Sequence, residues 1–363
     1  MIGRVTRPVS WLAAAVAVTL GLAACGGDDD GDRTTTGGTA SQPKRELRYD
    51  LGGQAPFSAS SPWNRGVETA SVDPDSSRMI RLGARSPVPV KEDEELNAVR
   101  NTRNLYINMD TTAWAPGVFR IGVGKRVRLI CRQVHCGRQV DAVPSHLVLP
   151  DDAIPDSGHD GWMILVDEEQ RIVWDLWRSR RVGQTISYAF ARRWSLTGTG
   201  SGTPRSTAYP RTPSLRGSGL PLIGGLIRPK ELREGRIPHA LAIAIPGPAA
   251  SRFVAPATTT NGLSALSSVP QGARLRLKAS ALARVQQTRN RQPGAITIAQ
   301  TLYTYGAIVV DRADSPTLYA QRNGDYKGLL TGPALRDLRL TDFEVLTLPK
   351  RQVDPDAPPK ATG

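Results

Sequence analysis

The chain has 363 residues and a formal net charge of +14 at pH 7; 39% of it is hydrophobic, with 35 glycines and 28 prolines. That balance leaves room for one large domain or two small ones and argues against a fold of long helices. The positive charge is mostly arginine and forms no long consecutive block, and no repeat recurs at a fixed period, so a basic arm and a repeat array are excluded.

At the N-terminus, Arg4 and Arg7 precede an almost wholly apolar run from Trp11 to Leu20, and Leu22-Ala23-Ala24-Cys25 closes it. A basic start, an apolar run too short to span a bilayer and small residues at its end describe a signal peptide. With Cys25 directly after Leu22-Ala23-Ala24, the segment resembles a bacterial lipoprotein signal. The resemblance implies cleavage before Cys25 and acyl chains on its thiol and new amino group, so the membrane is a partner through the anchor. An ordinary signal peptide with an incidental cysteine is the plainer alternative. The expected organisation is therefore a signal peptide over 1–24 and a lipidated Cys25 with a flexible tether over 25–54. A single β-rich extracytoplasmic domain follows over 55–348, and a disordered tail rich in proline over 349–363.

Within the domain, Asp73-Pro74 offers a helix start and Gly83 a stop, with Met79, Ile80 and Leu82 as a buried face. Leu105–Ile107, Gly117–Ile121 and Val127–Ile130 read as strands. Trp162–Asp167 and Ile172–Trp177, around a charged turn, read as a β-hairpin. Residues 194–219 read as a long loop. Pro229–Gly235 predicts a short helix and Ile237–Ile245 a strand. Arg274–Leu277 predicts another strand, Ile296–Tyr305 a helix stopped by Gly306, and Ala307–Asp311 a buried strand. Pro333–Leu338 predicts a short helix and Phe343–Leu346 the last strand. The fold class that follows is mainly β, an antiparallel β-sandwich or jelly roll with a few short helices.

Cys131 and Cys136 remain as a pair in an exported chain, and four intervening residues can close a small loop, which predicts a disulfide. A metal site built from Cys131, His135, Cys136 and His146 is the sharper alternative. Adjacent His135 and Cys136 rarely reach one tetrahedral centre, so no metal and no cofactor is expected. Asp156–Asp167 has the length of a calcium loop, but Gly158 stands where a ligand belongs, and a plain turn is the better reading.

Several strings carry a wider resemblance: Ser61-Pro62-Trp63-Asn64, Asp160-Gly161-Trp162, Gly219–Arg228 with Glu231, Gly235 and His239-Ala240-Leu241, and Thr304–Asp311. Together they resemble an uncharacterised family of secreted actinobacterial proteins over most of residues 55–348. The resemblance implies one secreted domain and lends no catalytic residue.

The familiar hydrolase, metalloprotease, phosphate-loop and thiol-redox motifs are missing from the sequence. His239 begins an apolar strand after a helix carrying Arg228 and Glu231, and Tyr305 and Asp311 end elements that could lie nearby. Histidine, tyrosine and arginine together can remove a sugar C5 proton beside a uronate, and Asp160 with Glu231 could instead act as a carboxylate pair on a glycosidic bond. The plainer alternative makes His239 a hydrogen-bonded structural residue. Trp162, Trp174, Trp177 and Trp194 could form a platform for sugar rings, although Trp174 and Trp177 must point to opposite faces of one strand. The expected function is a surface-anchored lipoprotein that binds, and could also cleave, an extracellular or cell-wall polysaccharide. Anionic wall polymers or acidic glycans are the natural partners of the basic charge, and nucleic acid is not. The alternative is a non-catalytic envelope protein with a protein partner.

Overall fold

The computed structural model describes residues 51–85, 104–109, 114–158, 160–202, 215–322 and 324–354. The signal peptide, Cys25 and most of the tether fall outside the described residues, as does part of the expected 194–219 loop.

Helix α1 (Ser76–Gly83) starts after Asp75, two residues later than Asp73-Pro74 suggested, and buries Met79 and Ile80. Nine strands follow: β1 (Tyr106–Asn108), β2 (Gly117–Arg120), β3 (Lys125–Cys131), β4 (His146–Leu149), β5 (Met163–Asp167), β6 (Ile172–Trp177), β7 (Arg180–Val182), β8 (Thr185–Tyr188) and β9 (Phe190–Ser195). Helix α2 (Pro229–Arg233) leads to β10 (Leu241–Ile245), β11 (Arg252–Phe253) and β12 (Arg274–Leu277). Helices α3 (Ala279–Gln287) and α4 (Pro293–Thr304) precede β13 (Ala307–Arg312), β14 (Thr317–Tyr319), β15 (Phe343–Val345) and β16 (Gln352–Val353). Residues 333–338, expected to be helical, form turns instead.

The fold is mainly β. Three sheets stack face to face, and helices cover the free side of the first. The six-stranded sheet has the order β1-β14-β10-β13-β12-β15, the central sheet β2-β5-β6-β9 and the outer sheet β4-β3-β8-β7. Pairing is mixed rather than purely antiparallel. Strands β1–β14, β10–β13, β2–β5 and β3–β8 run parallel, while the hairpin β5–β6 and the pair β6–β9 are antiparallel.

Side-chain alternation explains the stack. In β10, Leu241, Ile243 and Ile245 join the core beneath the helices, while Ala242 and Ala244 face the central sheet. In β5, Ile164 and Val166 face the six-stranded sheet, and Met163 and Leu165 face the outer one. A strand buried on both faces reads as a continuous apolar run, which is why Met163–Val166 shows no polar alternation. In β3 the alternation returns. Val127 and Leu129 are buried, and Arg126 and Arg128 are exposed, because the outer sheet has one face in water.

The chain does not fray from Pro349 as its proline content suggests. Strand β16 pairs with β11, and the buried Asp354 carboxylate accepts from Thr259 Oγ1 at 2.6 Å and from Thr260 N at 2.8 Å. At the other end, Leu51 is already buried inside the stretch expected to be tether. The described residues all belong to one compact unit, Arg45–Gly363.

Candidate functional site

The residues expected to be catalytic separate: three cluster together, and Tyr305 and Asp160 stand apart. Arg228 precedes α2, and its backbone N–H donates to Glu231 Oε2 at 3.0 Å, a cap on the helix start. The Arg228 guanidinium also donates to Glu231 Oε1 and to Gln54 O. His239 Nε2 lies 2.8 Å from Glu231 Oε1, and its Nδ1 lies 2.9 Å from Ala240 O. All three side chains are buried. Burial alone would raise the Glu231 carboxyl, but the Arg228 charge and His239 overcome it and hold it below the usual range. This cluster ties the residue 51–54 segment, α2 and the start of β10 together. Among the described residues, His239 is fully buried and its ring nitrogens face Glu231 and Ala240 O, an arrangement that fits the hydrogen-bonded structural alternative. Tyr305 caps the end of α4, half-buried, and no hydrogen bond joins its phenol to the cluster among the described residues. Asp160 stands elsewhere, accepting from Trp177 Nε1 at 2.9 Å.

The four tryptophans do not share one exposed face. Trp162, Trp174 and Trp194 are buried, and Trp177 is half-buried. Trp174 packs between the central and outer sheets, and Trp162 between the central and six-stranded sheets. Trp194 Nε1 donates to Asp175 Oδ2 at 2.8 Å, and Leu222 N donates to the same oxygen at 2.8 Å, while Asp175 Oδ1 has no partner. Burial pushes the Asp175 carboxyl up to about 7, although Leu222 N–H, Arg216, Trp194 and Arg192 pull the other way. Indoles entered the core because β6 and β9 belong to the sheet covered on both faces.

An open site does exist at one end of the outer sheet. A cleft of about 480 Å³ is lined by Arg132, Arg178 and Arg180 with Asp156, Ser157, Gly158, Gly161 and Ser179. Each part is fixed by local structure. Cys131 and Cys136 form a disulfide, with Cα atoms 5.8 Å apart, and Arg132 follows the first of them. Arg132 N donates to Tyr188 O at 2.9 Å, and its guanidinium donates to Arg178 O. The Arg178 guanidinium lies 4.3 Å over the Trp177 ring, a cation–π contact that sets its direction. Asp156 Oδ1 accepts from Gly158 N at 2.6 Å and Oδ2 from Trp162 N at 3.2 Å, so the carboxylate closes its own turn, as the plain-turn reading expects. Burial raises the Asp156 carboxyl, with Asp160 adding to it, against Gly158 N–H, Trp162 N–H and Arg322. Gly161 must be glycine: its φ is +49°, and a Cβ there would meet Ser179 O at 2.7 Å.

One polar atom of a residue lining the cleft is buried without a partner. Ser179 is only 4% exposed, and its Oγ has no hydrogen-bond partner. A buried hydroxyl without a partner costs free energy unless something supplies one. Among the described residues no group of three or more His, Cys, Asp or Glu side chains could hold a metal ion. Sequence reading missed Arg132, Arg178, Ser179 and Arg180. Their signal was Arg178-Ser179-Arg180-Arg181, three arginines in four residues beside a tryptophan.

Compared with known proteins, the chain matches no family model, no curated protein and no solved structure.

Proposed function

We propose that this protein binds an anionic extracellular polymer, an acidic glycan or wall polymer, at the cleft of Arg132, Arg178 and Arg180, while Cys25 carries the lipid anchor that keeps it at the membrane. One observation carries the binding reading: three arginines, Arg132, Arg178 and Arg180, line one open cleft. Arginine presents a planar fork of donors that suits carboxylate and phosphate oxygens. The reading is of a binder rather than an enzyme. The groups suited to proton transfer, His239 and Glu231, are spent on each other in a closed cluster.

Calorimetric titration of the intact protein with glucuronate tests it. Binding should be measurable at low salt and should weaken as salt is raised. Arg178→Gln with Arg180→Gln should weaken it at least tenfold, and neutral glucose should not bind. Equal binding of glucose and glucuronate would overturn the reading. A protein partner is the second reading, favoured by Val134 and Val182, which stand 91% and 81% exposed on the disulfide loop and on β7 of the outer sheet. Retrieval of one specific protein by the wild type and not by Val134→Ser with Val182→Ser, together with no glycan binding, would turn the choice to it.

A further inference from the structure

The cleft opens at one end of the outer sheet's solvent face, and that face carries more of the same chemistry. Along β3, Val127 and Leu129 point into the core shared with the central sheet, so Arg126 and Arg128 point outward. Ile130 and Arg132 continue the same alternate row, and Arg132 already lines the cleft. Across the sheet, Arg128 stands opposite His146 on β4 and Thr185 on β8, and Ile130 stands opposite Ser187, which in turn pairs with Arg180 on β7. Arg126 and Arg128 are exposed and have no carboxylate within ion-pair distance among the described residues. The neighbouring Lys125 is neutralised by Asp151 at 3.0 Å. From Arg126 to Arg132 is six residues of extended chain, about 20 Å at the rise of a strand.

We infer that this row extends the cleft, and that the ligand is a linear polyuronate lying along β3 with one end in the cleft. The inference rests on the cleft being an anion site. A single small acid would need the cleft alone. A row of unpaired cations leading away from it matches a chain that repeats its charge. The groups between the arginines select the chain's chemistry. Ile130, Val148 opposite Arg126 and Val182 opposite Thr185 offer small apolar surfaces to the C–H faces of sugar rings. Ser157, exposed in the cleft, suits a sugar hydroxyl.

The test compares ligand lengths on the intact protein. Wild type and Arg126→Gln/Arg128→Gln are titrated with glucuronate, with a series of oligogalacturonates and with inorganic polyphosphate. In the wild type, affinity should rise with uronate length until the ligand covers the row. The double variant should bind the monomer as the wild type does and lose at least tenfold for the long oligomers, with a shallower dependence on salt. If wild type and variant bind long oligomers equally, the row is not part of the site, and the cleft reading stands. If neither monomer nor oligomer binds the wild type, both readings fall. Tighter binding of polyphosphate than of oligogalacturonate would overturn the assignment to a uronate chain.

Discussion

Asp175 lies on the central sheet, where its carboxyl is pushed up to about 7 by burial. An ordinary aspartate in the unfolded chain loses its proton near pH 4. Between those values the folded chain holds a proton that the unfolded chain has released. The stability this group contributes is therefore complete below about pH 4 and is lost as pH rises through about 7. Asp175→Asn keeps an oxygen to accept from Trp194 Nε1 and Leu222 N and has nothing to titrate. Urea unfolding at pH 5 and pH 7 should show a smaller fall in stability for the variant, by up to about 1.4 kcal/mol per pH unit. An unchanged difference would mean that Asp175 is ionised throughout. Such a residue was invisible in the sequence, where Ile172–Trp177 is a strand with one acid in it. Nothing local says that both faces of that strand are covered. The same holds for His239, whose place at a strand start was legible. The cluster around it closes because Arg228 reaches Gln54 O, 174 residues away along the chain.

The disulfide loop shows what one element does for the cleft. It holds Arg132 between its two cysteines, and Ala191 N donating to Cys136 O at 2.7 Å pins its far side to β9. Closing so short a loop is worth about 2 kcal/mol. Cys131→Ser with Cys136→Ser should lower unfolding stability by roughly that amount and, because Arg132 is no longer held, should weaken glucuronate binding several-fold. Calorimetry on the variant checks both, and full retention of affinity would remove Arg132 from the site. At this scale the sequence was informative where periodicity and punctuation agreed. The β5–β6 hairpin, α2 after Pro229 and α4 before Gly306 all stand close to where they were expected. It was uninformative where a segment is short and polar. Strands β4, β7 and β8 pass unnoticed because their alternation covers only three or four residues, and Pro333–Leu338 lacks the neighbours that would make a helix of it.

For the whole molecule, the order of layers decides what faces outward. Among the described residues, helices shield one side of the six-stranded sheet, the central sheet is covered on both sides, and only the outer sheet offers a broad strand face to solvent. Mixed pairing was not legible, since it depends on which strands meet after long connections rather than on any strand's own residues. The proposed lipid at Cys25 would keep the chain at the membrane. Two or more acyl chains suffice for stable anchoring. Cys25→Ala should shift the protein from the membrane fraction to the soluble fraction, or leave its precursor uncut. A wild-type mature form beginning at any other residue would refute the anchor. The strand pair at the end of the fold has a consequence for anyone making the protein. A gene cut after Leu348, where the prolines invite it, would delete β16 and Asp354 and leave the Thr259 hydroxyl and the Thr260 amide without their acceptor. A purification tag therefore belongs downstream of Asp354, never in its place.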